Sequence, residues 1–431
     1  MKKKGKERLK SLLILLLAAL AVFLAHESRV FHEFVSSSEL LQTLAERFGG
    51  ESSAGIVGPG STAETAARPA HPVLMALTSG LGARLGAAYD EAAVDELYER
   101  CASLFGEALG SAAPAEPCTR EDWLAALERP GFFLDYQTEL PLWVLPHWLG
   151  VSAATLNRDT ASRFAVSLSE EGTIELYYRG ANGCARCATA SAAESLRQIT
   201  AELLPNGAYF AFEGGAACEQ VEPDTLLLPE LSEKRALTRE ILSGQSALRE
   251  QIAAALGMSA LGGAAYSERD GTLVYVGGSG TLRFQPDGWV LFNAADSEEA
   301  APAPEDRELI DAACALLAEL RGSATGEERL CFDGLLTEPD GGRTLLFAAY
   351  VDGVRVGAEG YAARLRYEGG QLASLELSHC RYSAAGEALI LLPPLQAAAI
   401  AGGLSPGSSP FLSYEETEAG LVPVWTARED K

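Results

Sequence analysis

A basic tail followed at once by an apolar run sets the terms for this chain. Lys2, Lys3, Lys4, Lys6, Arg8 and Lys10 face one acid, Glu7, so residues 1–10 carry a net +5. Ser11 to Ala25 then holds no charge and little but Leu, Ala, Ile, Val and Phe. A basic flank ahead of an apolar run keeps the N-terminus on the cytoplasmic side. At ~1.5 Å per residue these fifteen residues cover roughly 22 Å, short of a ~30 Å hydrocarbon core. Lys10 can snorkel, and Leu9 and His26 can lie at the interface, which closes most of the gap. A cleaved signal peptide has an apolar region of this length too. Against cleavage, no small-x-small pair closes the run: Phe23 spoils a cut after Ala25, and Ala19 and Ala21 lie inside it. No cysteine precedes Cys101, which excludes a lipid-modified cysteine near the start. The expectation is an uncleaved single-pass anchor in the cell membrane, N-terminus cytoplasmic and the bulk of the chain extracytoplasmic.

The remainder is too long for one ordinary core: 431 residues predict two or three domains. A total charge of −25, less the tail's +5, leaves −30 on the outer part. That part holds only two lysines, Lys234 and Lys431. So acidic a surface argues against nucleic acid as a partner and against docking on anionic lipid. Solubility alone is sufficient reason for it. An apolar content of 48% supplies buried cores, so the outer part is no disordered stalk.

Residues 26–48 read as a membrane-proximal amphipathic helix. Phe31, Phe34, Leu41, Ala45 and Phe48 fall on heptad positions a and d of one stripe, interrupted by Ser38. Such a helix either lies on its own domain or pairs with a partner's helix. Residues 49–71, rich in Gly, Pro, Ser and Ala without periodicity, form a flexible linker. Residues 72–230 form a first α+β domain. It holds a strand at Val73–Thr78, a helix over Glu91–Leu109 and a second helix capped by Thr119 with Asp122 three residues on. The strand Phe132–Tyr136, a short helix Leu140–Leu149 and a hairpin of Phe164–Leu168 with Ile174–Tyr178 follow. A helix over Thr189–Leu204 and a strand Ala208–Phe212 complete it.

Residues 231–431 form a second α+β region, opening with a helix over Arg235–Leu256. A meander of Thr272–Val276, Thr281–Phe284 and Trp289–Phe292 leads to the acidic loop Ala294–Asp306, where a split into two subdomains stays open. After the amphipathic helix Glu308–Leu320, strands dominate: Arg329–Leu335, Thr344–Tyr350, Tyr361–Tyr367, Leu372–His379, Ala388–Leu391 and Leu421–Trp425. A short helix lies near Leu395–Ile400. The fold class is α+β: an N-terminal transmembrane helix, then two or three extracytoplasmic domains of antiparallel sheet packed with helices.

Catalytic chemistry finds little support. His-Glu-x-x-His, Ser-x-x-Lys, the P-loop and the dinucleotide fingerprint are all missing. Gly277-Gly278-Ser279-Gly280 joins two strands and reads as a hairpin turn. Trp143, His147 and Trp148 make an aromatic patch that fits core packing better than a ligand site. Eight cysteines require no disulfide framework in a chain this large. Cys184-Ala-Arg-Cys187 is the suggestive spacing: a redox pair, a small disulfide loop or half a zinc site. A structural zinc site needs four ligands, and no second Cys-x-x-Cys exists. A loop with incidental or structural thiols is the favoured reading. No catalytic residue, metal ligand or cofactor is assigned.

Several local patterns resemble the YycH/YycI group of extracytoplasmic regulators, which attach to the WalK sensor histidine kinase. In the first domain these are Phe132-Phe133-Leu134-Asp135-Tyr136 running into Leu140-Pro141-Leu142, and Trp148-Leu149-Gly150. In the second they are Tyr266 to Thr272 with Val274-Tyr275-Val276, Leu282 to Gly288, Tyr361 through Leu377, and Leu421-Val422-Pro423-Val424-Trp425. The cysteine-rich first domain departs from that pattern. The resemblance implies a non-enzymatic regulator that contacts the kinase at and outside the membrane and adjusts cell-wall signalling. A related membrane-anchored regulator is then a further partner. The candidate contact residues are Ala18, Ala19 and Ala21 in the span and Phe31, Phe34, Leu41 and Phe48 on the stripe beyond it. The competing class is a PepSY-like binding or inhibitory module for a protease or a cell-wall ligand. An extracytoplasmic hydrolase ranks last.

Overall fold

The computed structural model describes residues 67–428, apart from 69, 80–81, 153–155, 157–158, 202, 259–264, 296–303, 322–325, 359 and 418–419. The anchor, the stripe with its candidate contact residues, residues 49–66 of the linker and most of the acidic loop therefore lie outside the described residues. Among the described residues no helix is long and apolar enough to cross a membrane.

Apolar residues at helical spacing place α1 (Glu91–Gly110) against the first sheet, burying Val94, Leu97, Cys101, Leu104, Phe105, Ala108 and Leu109. Asp90 caps it by accepting the Ala93 N–H at 3.0 Å. The strand β1 (Ala67–Arg68) pairs in parallel with a distant strand of the second sheet, although the sequence assigns it to the linker. The first sheet is then built from β2 (Leu74–Thr78), β3 (Arg84–Ala88), β4 (Glu116–Cys118), β5 (Gly131–Pro141), β6 (Thr160–Leu168), β7 (Ile174–Gly180) and β8 (Gly183–Ala188). Its order is β3-β2-β5-β6-β7-β8-β4, antiparallel throughout. Along β5, Phe132, Leu134 and Tyr136 join the core under α1, with Phe105 edge-on to Phe132 at 6.2 Å. Phe133 points to the opposite face, where Trp123 of α2 (Arg120–Glu128) meets it at 6.4 Å. Strand alternation therefore gives the sheet two apolar faces, one for each helix. Thr119 and Asp122 close a reciprocal capping box at the start of α2. The helices α3 (Val144–Trp148) and α4 (Ala193–Ala201) follow; both begin later than expected from sequence, α3 because Leu140 and Pro141 finish β5. A two-stranded ladder, β9 (Tyr209–Phe210) with β10 (Leu226–Leu227), leads out of this part.

The second sheet has fourteen strands, counting β1. In chain order the others are β11 (Lys234–Ile241), β12 (Ala265–Ser267), β13 (Leu273–Gly277), β14 (Gly280–Phe284), β15 (Trp289–Ala294), β16 (Glu328–Thr337), β17 (Arg343–Val351), β18 (Val354–Val356), β19 (Ala363–Glu368), β20 (Gln371–Ser378), β21 (Cys380–Leu389), β22 (Ser409–Thr417) and β23 (Gly420–Arg428). The helices α5 (Ser246–Ala255), α6 (Asp306–Arg321) and α7 (Pro394–Leu404) accompany them. The order runs β12-β13-β14-β15-β20-β19-β17-β18-β22-β23-β11-β21, with β16 on β17 and β1 on β16. One apolar cluster continues from α1 and the first sheet into the second, where Trp148 meets Phe332 edge-on at 5.7 Å.

One expected helix is overturned. Residues 235–256 are a strand and a short helix, not a single helix, because Leu237, Ile241, Leu248 and Ile252 only imitate a helical stripe. A ladder from Lys234–Leu389 to Ile241–Cys380 offers the first half a partner, and Ser243-Gly244 breaks the run. The hairpins at β13–β14 and β14–β15 lie where the turn residues put them. The short strand expected at Ala388–Leu391 is the tail of the longer β21.

His379, between β20 and β21, is 1% exposed, and neither ring nitrogen has a hydrogen-bond partner among the described residues. Burial, and then the charge of Arg321, hold its pKa down at about 4 against an ordinary 6.5. Between those values the unfolded chain takes up a proton that the folded one refuses. The contribution to stability is therefore complete above pH 6.5 and lost as pH falls towards 4. We expect up to ~3 kcal/mol of pH-dependent loss over that window, read from urea unfolding midpoints. His379→Leu should flatten the slope.

Candidate functional site

Direct cross-strand pairing places one residue from each strand of the first sheet in a single row. From β3 to β4 the row reads Ala88, Leu74, Asp135, Arg163, Arg179, Cys184 and Cys118. Opposed residues in an antiparallel ladder point to the same face. This face, away from α1, forms the floor of a cleft of about 1350 Å³. Its other wall comes from the second sheet, including Asp333, Arg355, Phe411, Trp425 and Arg428.

The floor is an ionic lattice. Arg163 reaches Asp135 at 3.0 Å and Asp224 at 2.8 Å. Arg179 reaches Asp224 at 2.7 Å and Glu222 at 2.8 Å, and Arg120 of α2 also holds Glu222 at 2.8 Å. The Trp123 indole donates to Asp224 at 2.8 Å. Burial works against ionisation of Asp224, yet the charges of Arg163 and Arg179 outweigh it and keep its carboxyl below the ordinary range. Among the described residues, Arg120, Arg163 and Arg179 thus meet Asp135, Glu222 and Asp224. The lattice fixes α2 and the segment around Asp224 to the sheet.

Beyond it, β5 is irregular. The register shifts between Asp135 and Leu140, and Gln137 has φ +55°. That left-handed backbone costs energy in a non-glycine residue and persists where neighbours hold it. The holders are visible: the Gln137 N–H donates to Asp135 at 2.7 Å, and Arg428 donates to the Gln137 carbonyl. The Gln137 amide donates to the Tyr89 hydroxyl at 2.8 Å. Burial pushes the Tyr89 phenol up to about 12, despite the Gln137 hydrogen bond. Arg428 lies over the Phe411 ring at 5.4 Å, and Trp425 meets Tyr89 edge-on at 5.6 Å. Two buried acceptors, Gln137 Oε1 and Glu139 Oε2, have no partner among the described residues. Glu139 uses its other oxygen for the Ala181 N–H at 3.1 Å. The cleft accordingly suits a ligand that brings N–H or O–H donors to these two atoms.

The sequence-derived candidates fare differently. Ala18, Ala19, Ala21, Phe31, Phe34, Leu41 and Phe48 lie outside the described residues. Trp143 and Trp148 pack against the main core, and His147 ties α3 to α6 through Asp311 at 3.0 Å. The reading of Cys184 and Cys187 as loop residues is overturned, since both sit on β8. Three residues apart on a strand, they point to opposite faces: Cys187 into the core with α1, Cys184 beside the cleft-side cluster. A Cys184–Cys187 disulfide loop is thereby excluded. Among the described residues no cluster of three or more His, Cys, Asp and Glu could hold a metal ion. The ionic row is set by strand register and carries no sequence motif. Its one local signal is a charge inside an apolar strand, as in Phe-Phe-Leu-Asp-Tyr and Ser-Arg-Phe-Ala-Val.

A second surface stands out. The exposed side of α7 presents Leu395, Ile400 and Leu404, preceded by Ile390 and Leu392. No Asp, Glu, Lys or Arg occurs between Glu387 and Glu415.

Removing the carboxylate at the centre of the lattice leaves two guanidiniums buried without it. Asp224→Ala should therefore cost ~3–5 kcal/mol, seen as an early thermal transition. Glu222→Ala, nearer solvent, should cost clearly less.

No protein-family model matches the sequence, and no curated protein matches it significantly. The crystal structure of YycH from Bacillus subtilis is similar to it, with a TM-score of 0.50 and 12% identity. The alignment covers 84% of this chain and 94% of YycH. The chain has a YycH-like fold, α+β with antiparallel sheets and several helices.

Proposed function

We propose that this chain is a membrane-anchored extracytoplasmic regulatory protein. It acts by protein contact on a sensor histidine kinase that controls cell-wall homeostasis. The observation that carries this reading is the YycH-like fold, which extends over 84% of the chain. The local patterns along β5, the β13–β15 meander and β23 support it. A related membrane-anchored regulator is the second expected partner.

In this reading Ser11–Ala25 spans the bilayer and residues 1–10 stay in the cytoplasm. Helices in lipid associate by close packing, without a hydrophobic drive. Ala18, Ala19 and Ala21 allow that approach. Beyond the bilayer, Phe31, Phe34, Leu41 and Phe48 offer an apolar stripe, where burial of each aromatic contributes ~1.5–3 kcal/mol.

Crosslinking of the full chain in membranes, followed by capture and mass spectrometry, should recover a sensor histidine kinase. Phe31→Ser with Phe34→Ser should weaken that capture while the melting temperature of the folded part stays unchanged. The comparison version should begin at Thr65, so that β1 is kept. If that version regulates the kinase as well as the full chain does, the anchor and stripe are only a tether. Capture of no kinase by the full chain would overturn the reading itself.

A further inference from the structure

Two thiols end the row across the first sheet. Cys118 on the edge strand β4 lies directly opposite Cys184 on β8 in an antiparallel ladder. Opposed residues in such a ladder have Cα atoms ~4.5–5.5 Å apart, within the ~4.4–6.8 Å that a disulfide spans. The Cys184 thiol already leans across the pair, donating to the Cys118 carbonyl at 2.8 Å and to the Thr119 carbonyl at 3.3 Å. Both residues are partly exposed, so a reagent can reach them, whereas Cys187 is buried on the other face.

We propose that Cys118 and Cys184 are a redox pair that closes to a cross-strand disulfide on reaction with a disulfide donor. One thiolate attacks a sulfur of the donor, forming a mixed disulfide and releasing the donor's first thiol. The second thiolate then displaces the donor's other sulfur. In balance, two protein thiols lose two protons and two electrons, and one donor disulfide gains them to become two thiols. Burial, then the adjoining Cys184 thiol, push the Cys118 thiol well above its ordinary range, so Cys118 is suited to the second step.

The consequence reaches the cleft. The cross-link joins positions 66 residues apart and pins a three-residue edge strand to its neighbour. That strand runs straight into Thr119, the cap of α2, and α2 supplies Arg120 and Trp123 to the lattice around Glu222 and Asp224. The Thr119 carbonyl keeps its bond from the Trp123 N–H at 3.1 Å when the thiol donor is lost. Oxidation thus tightens α2 onto the cleft floor without orphaning that carbonyl.

The test uses the full chain, treated with oxidised glutathione, blocked with an alkylating agent and mapped by peptide mass spectrometry without reduction. A Cys118–Cys184 linked peptide is expected, lighter than the summed thiol peptides by about 2 Da. Cys187→Ser should retain it, and either Cys118→Ser or Cys184→Ser should abolish it, with circular dichroism showing that each variant is folded. Amide exchange over Thr119–Trp123 should slow on oxidation in the wild type and not in Cys118→Ser. Alkylation of both Cys118 and Cys184 in the oxidised, folded wild type would overturn the proposal. So would a cross-link from Cys184 to any other cysteine.

Discussion

Asp224 is the point on which the cleft depends. Its carboxylate is fully enclosed and receives two guanidiniums and an indole N–H, from two strands and a helix. A buried carboxylate is tolerable only with such partners, and buried guanidiniums are tolerable only with it. The consequence is geometric. Arg163 and Arg179 must stand side by side on β6 and β7, which fixes the register of that pair. Arg163 also holds Asp135, whose second oxygen takes the Gln137 N–H and so sustains the irregular turn in β5. The strained backbone at the mouth of the cleft is thus held by the lattice at its floor. Removing one member loosens register, helix docking and loop conformation together, because they share atoms.

The first half of the chain shows what a sequence can disclose. The period of Val94, Leu97, Cys101, Leu104 and Phe105 and the Thr119–Asp122 box are local signals, and α1 and α2 follow from them directly. The meander after Thr272 was legible for the same reason, because its turns carry Gly and Pro-Asp-Gly. What escaped is what depends on distant partners. Residues 235–241 form a strand because β21 supplies a ladder about 150 residues later, a fact no local period encodes. Likewise Cys184-Ala-Arg-Cys187 reads as a pair only if the backbone turns there. On an extended strand the same spacing separates the thiols, and the true neighbour of Cys184 comes 66 positions earlier. The row Asp135–Arg163–Arg179 is a register phenomenon of this kind.

The likeness to YycH at 12% identity follows the same logic. A layered α+β fold needs apolar alternation on both faces of its sheets and turns in the right places, and many sequences meet that demand. The ionic lattice, the Gln137 turn and the thiol pair are side-chain arrangements laid upon that fold. Function is argued from such sites, since the fold accommodates more than one.

Charge gives the last step. The outer chain is short of cations, and it spends several of them inside. Arg84, Arg163, Lys234, Arg321 and Arg355 are all buried, paired with Glu213, Asp135 and Asp224, Asp352, Glu328 and Asp333. These pairs cancel among themselves, so the −30 of the outer part rests on the remaining carboxylates. Long-range repulsion then opposes approach of any acidic surface, more so at low ionic strength. Against this background the stretch from Ala388 to Tyr414 is an island without acid or base, and α7 exposes Leu395, Ile400 and Leu404 upon it. A helix apolar on all sides is ordinarily enclosed, and this one is covered on one side only. Water contact there costs free energy in the isolated chain, in proportion to the exposed apolar area. The same island adds no charge of its own to oppose a neighbour.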